Sequence, residues 1–242
     1  PLSPGETRDF HYGFTDITTG LAANRIVFNS HYHKSAFFEE LPRFIAHMPD
    51  TKPTWVVEEL INKSLVIHPG IAATAIETTH TPGGPAVEPP LILWNHRWEH
   101  DKNPEGFFRV LAAAADRGLE FRLAVVGEQF SRYPQAFDRA RERLGEKIVQ
   151  FGYVEDRAAY YRWLGQADIV ISTAYQENFG LSIAEAAAAG AYPLVPRRLS
   201  YPELIPPEYH EACLYNDEAE LERRLGEILR AGQAAPAGLA EA

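Results

Sequence analysis

The sequence contains a single cysteine, Cys213, so no disulfide can form within the chain. A disulfide-stapled secreted fold is therefore excluded, and we expect a protein of a reducing, cytoplasmic compartment. Long apolar runs are missing, and the first residues, PLSPGETRDF, lack the pattern of a secretory signal peptide. We therefore expect no membrane span and no membrane partner.

An excess of basic residues is missing as well. The 33 acidic side chains outnumber 23 Lys and Arg, which gives a net charge of −10. The first 90 residues carry 6 basic and 10 acidic side chains, and residues 91–242 carry 17 and 23. Neither half has the electrostatic footprint typical of a nucleic-acid-binding protein, although Arg197 and Arg198 leave room for a local basic patch.

Apolar side chains are plentiful: they make up 45% of the 242 residues, enough for one large or two modest domains. From Pro90 onward, strand and helix patterns alternate, which predicts a parallel sheet of βαβ units over residues 91–231. The predicted strands are Leu91–Asn95, Phe121–Val126, Ile148–Phe151, Ile169–Ser172, Tyr192–Val195 and Ala212–Leu214. The predicted helices are Glu105–Arg117, Pro134–Leu144, Arg157–Leu164, Leu181–Ala189 and Glu218–Leu229.

Residues 1–71 contain too few elements for a second domain of this kind. They are similar to the C-terminal part of an N-terminal Rossmann-like domain, with one complete Rossmann-like domain after them. We predict that residues 72–90, a stretch that ends in proline, form an interdomain linker. The Ala/Gly/Pro-rich composition of residues 232–242 predicts a disordered tail. The predicted elements of the first region are strands at Arg25–Ser30 and Leu65–Ile71 and helices at Phe37–Met48 and Thr54–Asn62.

The stretch from Ile169 to Gly190, IVISTAYQENFGLSIAEAAAAG, joins a buried strand, a polar turn and a helix. Gly180, directly before the helix, allows a ligand to approach the backbone closely. The amides of residues 179–182 are expected to be free at the helix N-terminus, where the N–H groups and the helix dipole both favour phosphate. The stretch therefore predicts an anion site.

Glu177 and Glu185 are the two ends of an E-x7-E pattern that encloses these amides. On its own, such a pattern is typical of a solvated loop residue and a surface helix residue. Its position at the end of a buried strand instead favours a ligand site for both carboxylates.

Two cations follow the first strand of the complete domain, in WNHRWEHDKNPEGFF. Arg97 suits a bidentate clamp on a diphosphate, and Lys102, five residues later, supplies a point charge. Isolated loop cations are usually solvated, but these two lie at the carboxyl end of a parallel strand, where open α/β sheets bind ligands. The sequence therefore predicts that both reach a diphosphate in the crevice of Glu177.

Metal binding is not expected from this sequence. His31 and His33, and likewise His96 and His100, come without a carboxylate or cysteine at ligand spacing. An Asp-x-Asp motif is also missing. We predict no metal ion and no cofactor.

The ENFG motif with Glu177 and Glu185, together with Arg97 and Lys102, resembles the donor site of retaining GT-B glycosyltransferases of the GT4 type. The longer strings GFTDITTGLAANRIVFNS, WNHRWEHDKNPEGFF and ADIVISTAYQENFGLSIAEA are similar to a narrower family, the tRNA-queuosine α-mannosyltransferases. This resemblance extends from about Arg8 to Tyr209. It implies a GT-B fold and metal-independent, retaining transfer of mannose from GDP-mannose to queuosine in the anticodon loop of tRNA.

The same resemblance implies a role for each donor-site residue. Arg97 and Lys102 would bind the diphosphate, Glu177 would hold the mannose as the catalytic residue, and Glu185 would hold the ribose. The other implied donor-binding residues are Gly127 and Glu128 beside the nucleotide, Phe151, Gly152 and Tyr153 along the guanine, and Asn178, Phe179, Gly180, Leu181 and Ser182 around the phosphates.

Parts of the family pattern have no counterpart here, notably the glycine-rich first loop of its N-terminal half. We therefore expect a fragment with an incomplete acceptor side, whose own activity is in question. One alternative is a GT4-type enzyme with another NDP-sugar and a glycan or glycolipid acceptor, although the acidic charge counts against a lipid. The second is a non-catalytic sugar-nucleotide-binding fragment.

Overall fold

A computed structural model of the protein describes residues 10–48, 50–72, 76, 89–232 and 235–240. Within these residues the chain divides into two units. The N-terminal unit comprises residues 10–70 together with Glu177–Phe179, and the C-terminal unit comprises the remainder. Most of the predicted linker, 73–75 and 77–88, lies outside the described residues.

The N-terminal unit contains three helices and a small parallel sheet. The sheet pairs β1 with β2, so that Val27 lies beside Leu65. Among the described residues, its core cluster contains five buried side chains with partly buried neighbours around them. The elements in chain order are α1 (Phe10–Ala22), β1 (Ile26–Phe28), α2 (His31–Ala46), α3 (Trp55–Asn62) and β2 (Ser64–Val66).

The C-terminal unit is a parallel sheet of six strands, in the order β5-β4-β3-β6-β7-β8. All four side chains of the first strand, LILW, are fully buried, as expected for a parallel sheet covered on both faces. The strands are β3 (Leu91–Trp94), β4 (Arg122–Val125), β5 (Ile148–Phe151), β6 (Ile169–Ile171), β7 (Tyr192–Pro196) and β8 (Leu214–Tyr215).

Helices connect these strands, and α4 packs against both α5 and α10. The helices are α4 (Pro104–Asp116), α5 (Ala136–Leu144), α6 (Arg157–Gln166), α7 (Leu181–Ala188), α8 (Tyr201–Leu204), α9 (His210–Cys213) and α10 (Glu218–Ala231). Numbered within the domain, the strand order is 3-2-1-4-5-6, the order of the dinucleotide-binding Rossmann fold.

The strand order reverses between β3 and β6, because later strands are added on opposite sides of this pair. The connections after the two strands therefore leave in opposite directions. In open α/β sheets such a switch point opens a crevice at the carboxyl ends of the strands, where ligands bind. Two loops begin there: the loop after β3, which carries Arg97 and Lys102, and the loop after β6, which carries Gly180.

Four predicted elements differ from the structure. Strand β2 is Ser64–Val66 and ends well before Ile71, where the predicted strand ended. Helix α2 begins at His31 and not at Phe37, because the Ser30 side chain accepts a hydrogen bond from the His33 amide, 2.9 Å away, and caps the helix. Strand β8 begins at Leu214, since residues 210–213 form the helical turn α9. Residues 235–240 of the predicted disordered tail instead pack on the domain: Leu239 is buried in its core.

Candidate active site

The loop after β3 lies directly against the loop after β4. Gly127 has a φ of +136°, and a Cβ atom at this position would overlap the carbonyl oxygen of His96. The amide of Trp98 donates to the Glu128 carbonyl, 2.9 Å away. Glycine is therefore required at 127, and both Gly127 and the exposed Glu128 border the loop that carries Arg97.

Several hydrogen bonds tie the loop after β3 to the loop after β6. The Thr173 hydroxyl lies 3.0 Å from the Lys102 carbonyl and 2.8 Å from that of Asn103. The amide of Tyr175 donates to the Asp101 carbonyl at 2.7 Å. The two loops at the switch point therefore hold each other in place.

The two predicted diphosphate-binding cations have different environments. The Lys102 side chain is only 9% exposed, and its ammonium donates to the Gln176 carbonyl at 2.7 Å and lies 3.1 Å from Asp101. The Arg97 side chain is 52% exposed and pairs with Glu99 at 2.9 Å. An exposed ion pair contributes about 0–1 kcal/mol, so Arg97 can exchange Glu99 for a phosphate at little cost, whereas Lys102 is fixed.

Helix α7 begins at the switch point. Gly180, with a φ of +98°, precedes it, and no side chain among the described residues caps this end. A Cβ atom on Gly180 would lie 3.1 Å from the Leu204 side chain, so the position is crowded as well as conformationally demanding. The backbone of Leu181 and Ser182 follows, and the predicted phosphate site belongs at this end of the helix.

Glu177, Asn178 and Phe179 group with the N-terminal unit. The carboxylate of Glu177 accepts hydrogen bonds from the amides of Asn178, at 3.0 Å, and Phe179, at 3.4 Å. The Asn178 carbonyl accepts from the Ser30 hydroxyl, and the Phe179 ring stacks on His68. The prediction of a free amide at Phe179 is therefore wrong for this structure, because that amide donates a hydrogen bond to the Glu177 carboxylate.

Glu185 lies one turn inside α7 and is partly buried. The Tyr160 hydroxyl on α6 donates to its carboxylate at 3.0 Å. Burial raises the pKa of Glu185, and the Tyr160 hydrogen bond and the positive charge of Arg157 offset part of that increase. Burial, followed by the charge of Glu185, also raises the pKa of Tyr160, so the phenol remains a proton donor.

The side chain of Asn95, the first residue after β3, connects this pair to the β3 loop. Its amide nitrogen lies 2.7 Å from the Ser182 carbonyl and 3.3 Å from the Tyr160 hydroxyl. The Ser182 hydroxyl lies 3.2 Å from the neighbouring His96 ring. The structure therefore brings Glu185, Ser182 and the loop of Arg97 together through Asn95 and Tyr160.

The residues predicted to pass the guanine lie at the end of β5 and directly after it. Gly152, with a φ of +115°, donates its amide to the Val125 carbonyl at 2.9 Å. The Phe151 ring contacts Trp98 edge-on, with centroids 4.9 Å apart, and Tyr153 is exposed. Phe151 is thus fixed beside the Arg97 loop.

The sequence prediction missed Asn95 and Tyr160. Asn95 carries a signal, because it is a polar residue at the end of a fully apolar strand, where a buried side chain needs hydrogen bonds. Tyr160 carries no such signal, since its partners Asn95 and Glu185 are 65 and 25 residues away. Only the folded chain shows this pairing.

No group of three or more His, Cys, Asp or Glu residues in the described part of the chain could hold a metal ion. Metal independence itself stays a prediction. Likewise, none of the helices in the described ranges combines the length and hydrophobicity that crossing a bilayer would require.

Comparison with known proteins adds to this geometry. The family model "Glycosyl transferases group 1" matches residues 76–235. The chain belongs to this glycosyltransferase family. Residues 1–71 match a second model, "tRNA-queuosine alpha-mannosyltransferase N-terminal". Both the glycosyltransferase prediction and the resemblance to the narrower family are confirmed.

Two curated proteins are similar in sequence to this chain. The tRNA-queuosine alpha-mannosyltransferase of Drosophila melanogaster is 34% identical over 239 residues, which are 95% of this chain and 61% of the relative. A GDP-mannose-dependent alpha-(1-6)-phosphatidylinositol dimannoside mannosyltransferase of Mycobacterium tuberculosis is 31% identical over 119 residues, 48% of this chain and 30% of that protein. The chain thus spans less than two thirds of either relative.

Among solved structures, sucrose-phosphate synthase from Thermosynechococcus elongatus matches with a TM-score of 0.65 and 18% identity. The match covers 95% of this chain and 55% of that protein. At this identity the likeness shows the fold alone. It confirms the predicted α/β fold of the GT-B type.

Proposed function

We propose that the protein takes part in retaining transfer of mannose from GDP-mannose to queuosine in the anticodon loop of tRNA. The observation that carries the proposal is the 34% identity to the Drosophila enzyme over 95% of this chain. The match of residues 1–71 to the N-terminal model named for the same activity supports the acceptor. A tRNA acceptor and a single cysteine both fit a cytoplasmic location.

The donor is GDP-mannose in this proposal. The Mycobacterium relative, whose name specifies GDP-mannose, supports that choice. Arg97, Lys102 and the N-terminus of α7 supply positive potential at one switch point, where a diphosphate fits. In this proposal Glu185, one turn further along α7, holds the ribose, and Glu177 holds the mannose.

The chemistry that this arrangement supports needs no metal ion. The leaving diphosphate develops negative charge, and fixed donors stabilise that charge best when they need no reorganisation. Lys102 is such a donor, since Gln176 and Asp101 already hold it, and Arg97 adds a bidentate contact. The acceptor hydroxyl attacks on the face that the diphosphate leaves, and a phosphate oxygen takes its proton.

Transfer is tested by incubating the protein with GDP-mannose and queuosine-containing tRNA and weighing the released nucleosides. We expect queuosine to gain one hexosyl group, with tRNA lacking queuosine as the negative control. Transfer from UDP-glucose but not from GDP-mannose would overturn the donor assignment. Transfer to a lipid or glycan but not to tRNA would support the alternative of a GT4-type enzyme with another acceptor.

Calorimetry tests the donor site directly. We expect GDP to bind more tightly than UDP, and Glu185→Ala to weaken GDP binding about tenfold or more, because a hydrogen bond to a charged group contributes about 1.5–3 kcal/mol. Glu177→Ala should reduce transfer more than GDP binding, since only the donor carries the sugar. Equal binding of UDP would contradict the guanine assignment, and loss of GDP binding in Glu177→Ala would contradict the division of roles.

A further inference from the structure

We propose that Tyr160 and Asn95 are positioning residues that hold Glu185 in the orientation and charge state needed to bind the nucleotide ribose. The inference rests on the proposed role of Glu185. It adds two residues that belong neither to the E-x7-E pattern nor to the cation pair Arg97 and Lys102. Neither residue needs to touch the substrate.

The direction of the hydrogen bonds follows from one fixed acceptor. The Ser182 carbonyl can only accept, so the atom of Asn95 that lies 2.7 Å from it is the amide nitrogen. The same nitrogen lies 3.3 Å from the Tyr160 hydroxyl and donates its second hydrogen there. The phenolic oxygen is then an acceptor, which leaves its own hydrogen for the Glu185 carboxylate, 3.0 Å away.

Burial makes this direction important. Asn95 is only 7% exposed, and its side-chain oxygen has no hydrogen-bond partner among the described residues. The side chain is therefore held by its two donated bonds alone. A turned amide would place an oxygen against the Ser182 carbonyl and remove the donor to Tyr160, so the observed arrangement is strongly preferred.

The chain from Ser182 to Glu185 joins three elements of the crevice: the β3 loop, α6 and α7. Without the phenolic hydrogen, the partly buried carboxylate of Glu185 would lose a donor and become easier to protonate. A protonated Glu185 can still accept a hydrogen bond, but it loses the stronger, charge-assisted bond to the ribose. The network thus prepares Glu185 before the nucleotide arrives.

The groups that face Glu185 can be named for each neighbouring element. Helix α6 contributes Tyr160 and Arg157, and the β3 loop contributes Asn95, which donates to the Tyr160 hydroxyl. Strand β6 is apolar, and on β7 the Tyr192 hydroxyl donates to Ala212. The Tyr160 hydroxyl donates the hydrogen bond that holds the Glu185 carboxylate, and Tyr160→Phe removes that bond.

The test compares Tyr160→Phe with Tyr192→Phe, which removes a phenolic hydroxyl that donates to the Ala212 backbone carbonyl. We expect GDP to bind about tenfold more weakly to Tyr160→Phe, and dideoxy-GDP, which lacks both ribose hydroxyls, to bind equally to wild type and variant. Tyr192→Phe should bind both as the wild type does. Unchanged GDP affinity in Tyr160→Phe, or an equal loss for dideoxy-GDP, would overturn the positioning role.

A ligand-free measurement separates this inference from the proposed function. The titration of Glu185, followed by carbon NMR of its carboxyl group, should move to higher pH in Tyr160→Phe and further in Asn95→Asp, which also adds a like charge. An unmoved titration would overturn the inference. If the wild type bound no nucleotide while the titration moved as expected, the proposed function would fail and the network would remain.

Discussion

The sheets of the two units are both parallel, but they bury their side chains very differently. In the C-terminal unit, strands β3 and β6 are fully buried within one continuous core. In the N-terminal unit, Val27 on β1 is 51% exposed and Ile67, just after β2, is 59% exposed. Apolar surface removed from water contributes about 25 cal/mol per Å², so the C-terminal unit gains far more stability from its sheet.

This difference separates two kinds of constraint in one chain. The C-terminal unit fixes its loops by close backbone contacts, as at Gly127 and Thr173. The N-terminal unit relies on a core of five buried side chains. We therefore expect substitutions at the switch point to lower the free energy of unfolding by displacing the backbone. Substitutions in the N-terminal unit should change only nearby side-chain packing or unfold that unit alone.

The largest expected effect contrasts a glycine in each unit. Gly127→Ala would drive a Cβ atom into the His96 carbonyl at a φ of +136°, and we expect a loss of about 3–5 kcal/mol of unfolding free energy. Gly13→Ala on α1 would bring a Cβ atom against the Phe44 ring, a side chain and not the backbone, and alanine favours the helix by about 1 kcal/mol, so we expect a smaller loss than at Gly127. Denaturant unfolding measures both.

Gly152→Ala is the matched control for Gly127→Ala. It has a positive φ of +115°, but a Cβ atom there would meet no described atom within 4 Å. We expect only the strain of the backbone, about 1–3 kcal/mol. Equal losses for Gly127→Ala and Gly152→Ala would show that the contact with His96 is not the cause.

The next effect concerns the small core of the N-terminal unit. Leu60 is fully buried there, and Leu60→Ala should cost about 2–5 kcal/mol, a large share of what five core residues supply. We expect hydrogen exchange to accelerate throughout residues 10–70 while strands β3–β7 stay protected and GDP still binds. Leu93→Ala on β3 is the control, and it should lower protection across the C-terminal unit instead. Uniform loss of protection in Leu60→Ala would show that the two units unfold together.

The same contrast explains what the sequence predicted well. The strand–turn–helix from Ile169 onward and the loop of Arg97 carry local signals: apolar runs, turn residues and closely spaced charges. The sequence therefore placed both loops at the carboxyl ends of their strands. It missed the Asn95–Tyr160 bond, because that contact depends on how distant elements pack.

Two further misses have different causes. The early start of α2 was missed because residues 31–36 are mostly polar, although Ser30 followed by a helical pattern is a capping signal. Leu239 was assigned to a disordered tail because one leucine in an Ala/Gly/Pro-rich stretch gives no periodicity. Its burial depends on the tertiary core, which no local pattern reports.

A smaller effect separates Arg97 and Lys102, the two cations proposed to bind the diphosphate. Lys102→Ala should weaken GDP binding about tenfold and lower stability by about 1–3 kcal/mol, because the partly buried Asp101 and the Gln176 carbonyl lose their donor. Arg97→Ala should weaken GDP binding similarly but change stability by less than about 1 kcal/mol, since its pair with Glu99 is exposed. Calorimetry and thermal unfolding of both variants test this.

Arg43→Ala in the N-terminal unit is the control for the two cations. Its ion pair with Glu40 is exposed on α2, like that of Arg97, but it lies in the other unit. We expect neither GDP affinity nor stability to change measurably. A loss of GDP affinity in Arg43→Ala as large as in Arg97→Ala would indicate general electrostatic attraction and not a specific phosphate contact.

The smallest expected effect concerns acid sensitivity at helix ends. In the C-terminal unit, Asp217 caps the start of α10: its carboxylate accepts from the Glu220 amide, while the Glu220 carboxylate accepts from the Asn216 amide at 2.8 Å. The Asn216 amide, followed by Arg224, lowers the pKa of Glu220 to about 2. In the N-terminal unit, α3 begins at Thr54 without a side-chain cap among the described residues.

The lowered pKa fixes the sign of the effect. Because Glu220 is easier to ionise in the folded chain, its contribution is complete above the ordinary glutamate pKa of 4.5 and is lost as pH falls through about 2. Glu220→Gln should therefore lower stability by about 0.3–1 kcal/mol at pH 7 and not at pH 2, since a negative charge near a helix N-terminus contributes about this much. Glu58→Gln on α3, whose start has no such cap, is the control, and we expect no comparable loss of stability at pH 7. Hydrogen exchange in the first turn of α10 between pH 5 and pH 2 measures the effect, and an unchanged rate in Glu220→Gln at pH 5 would show that Asp217 alone holds this helix end.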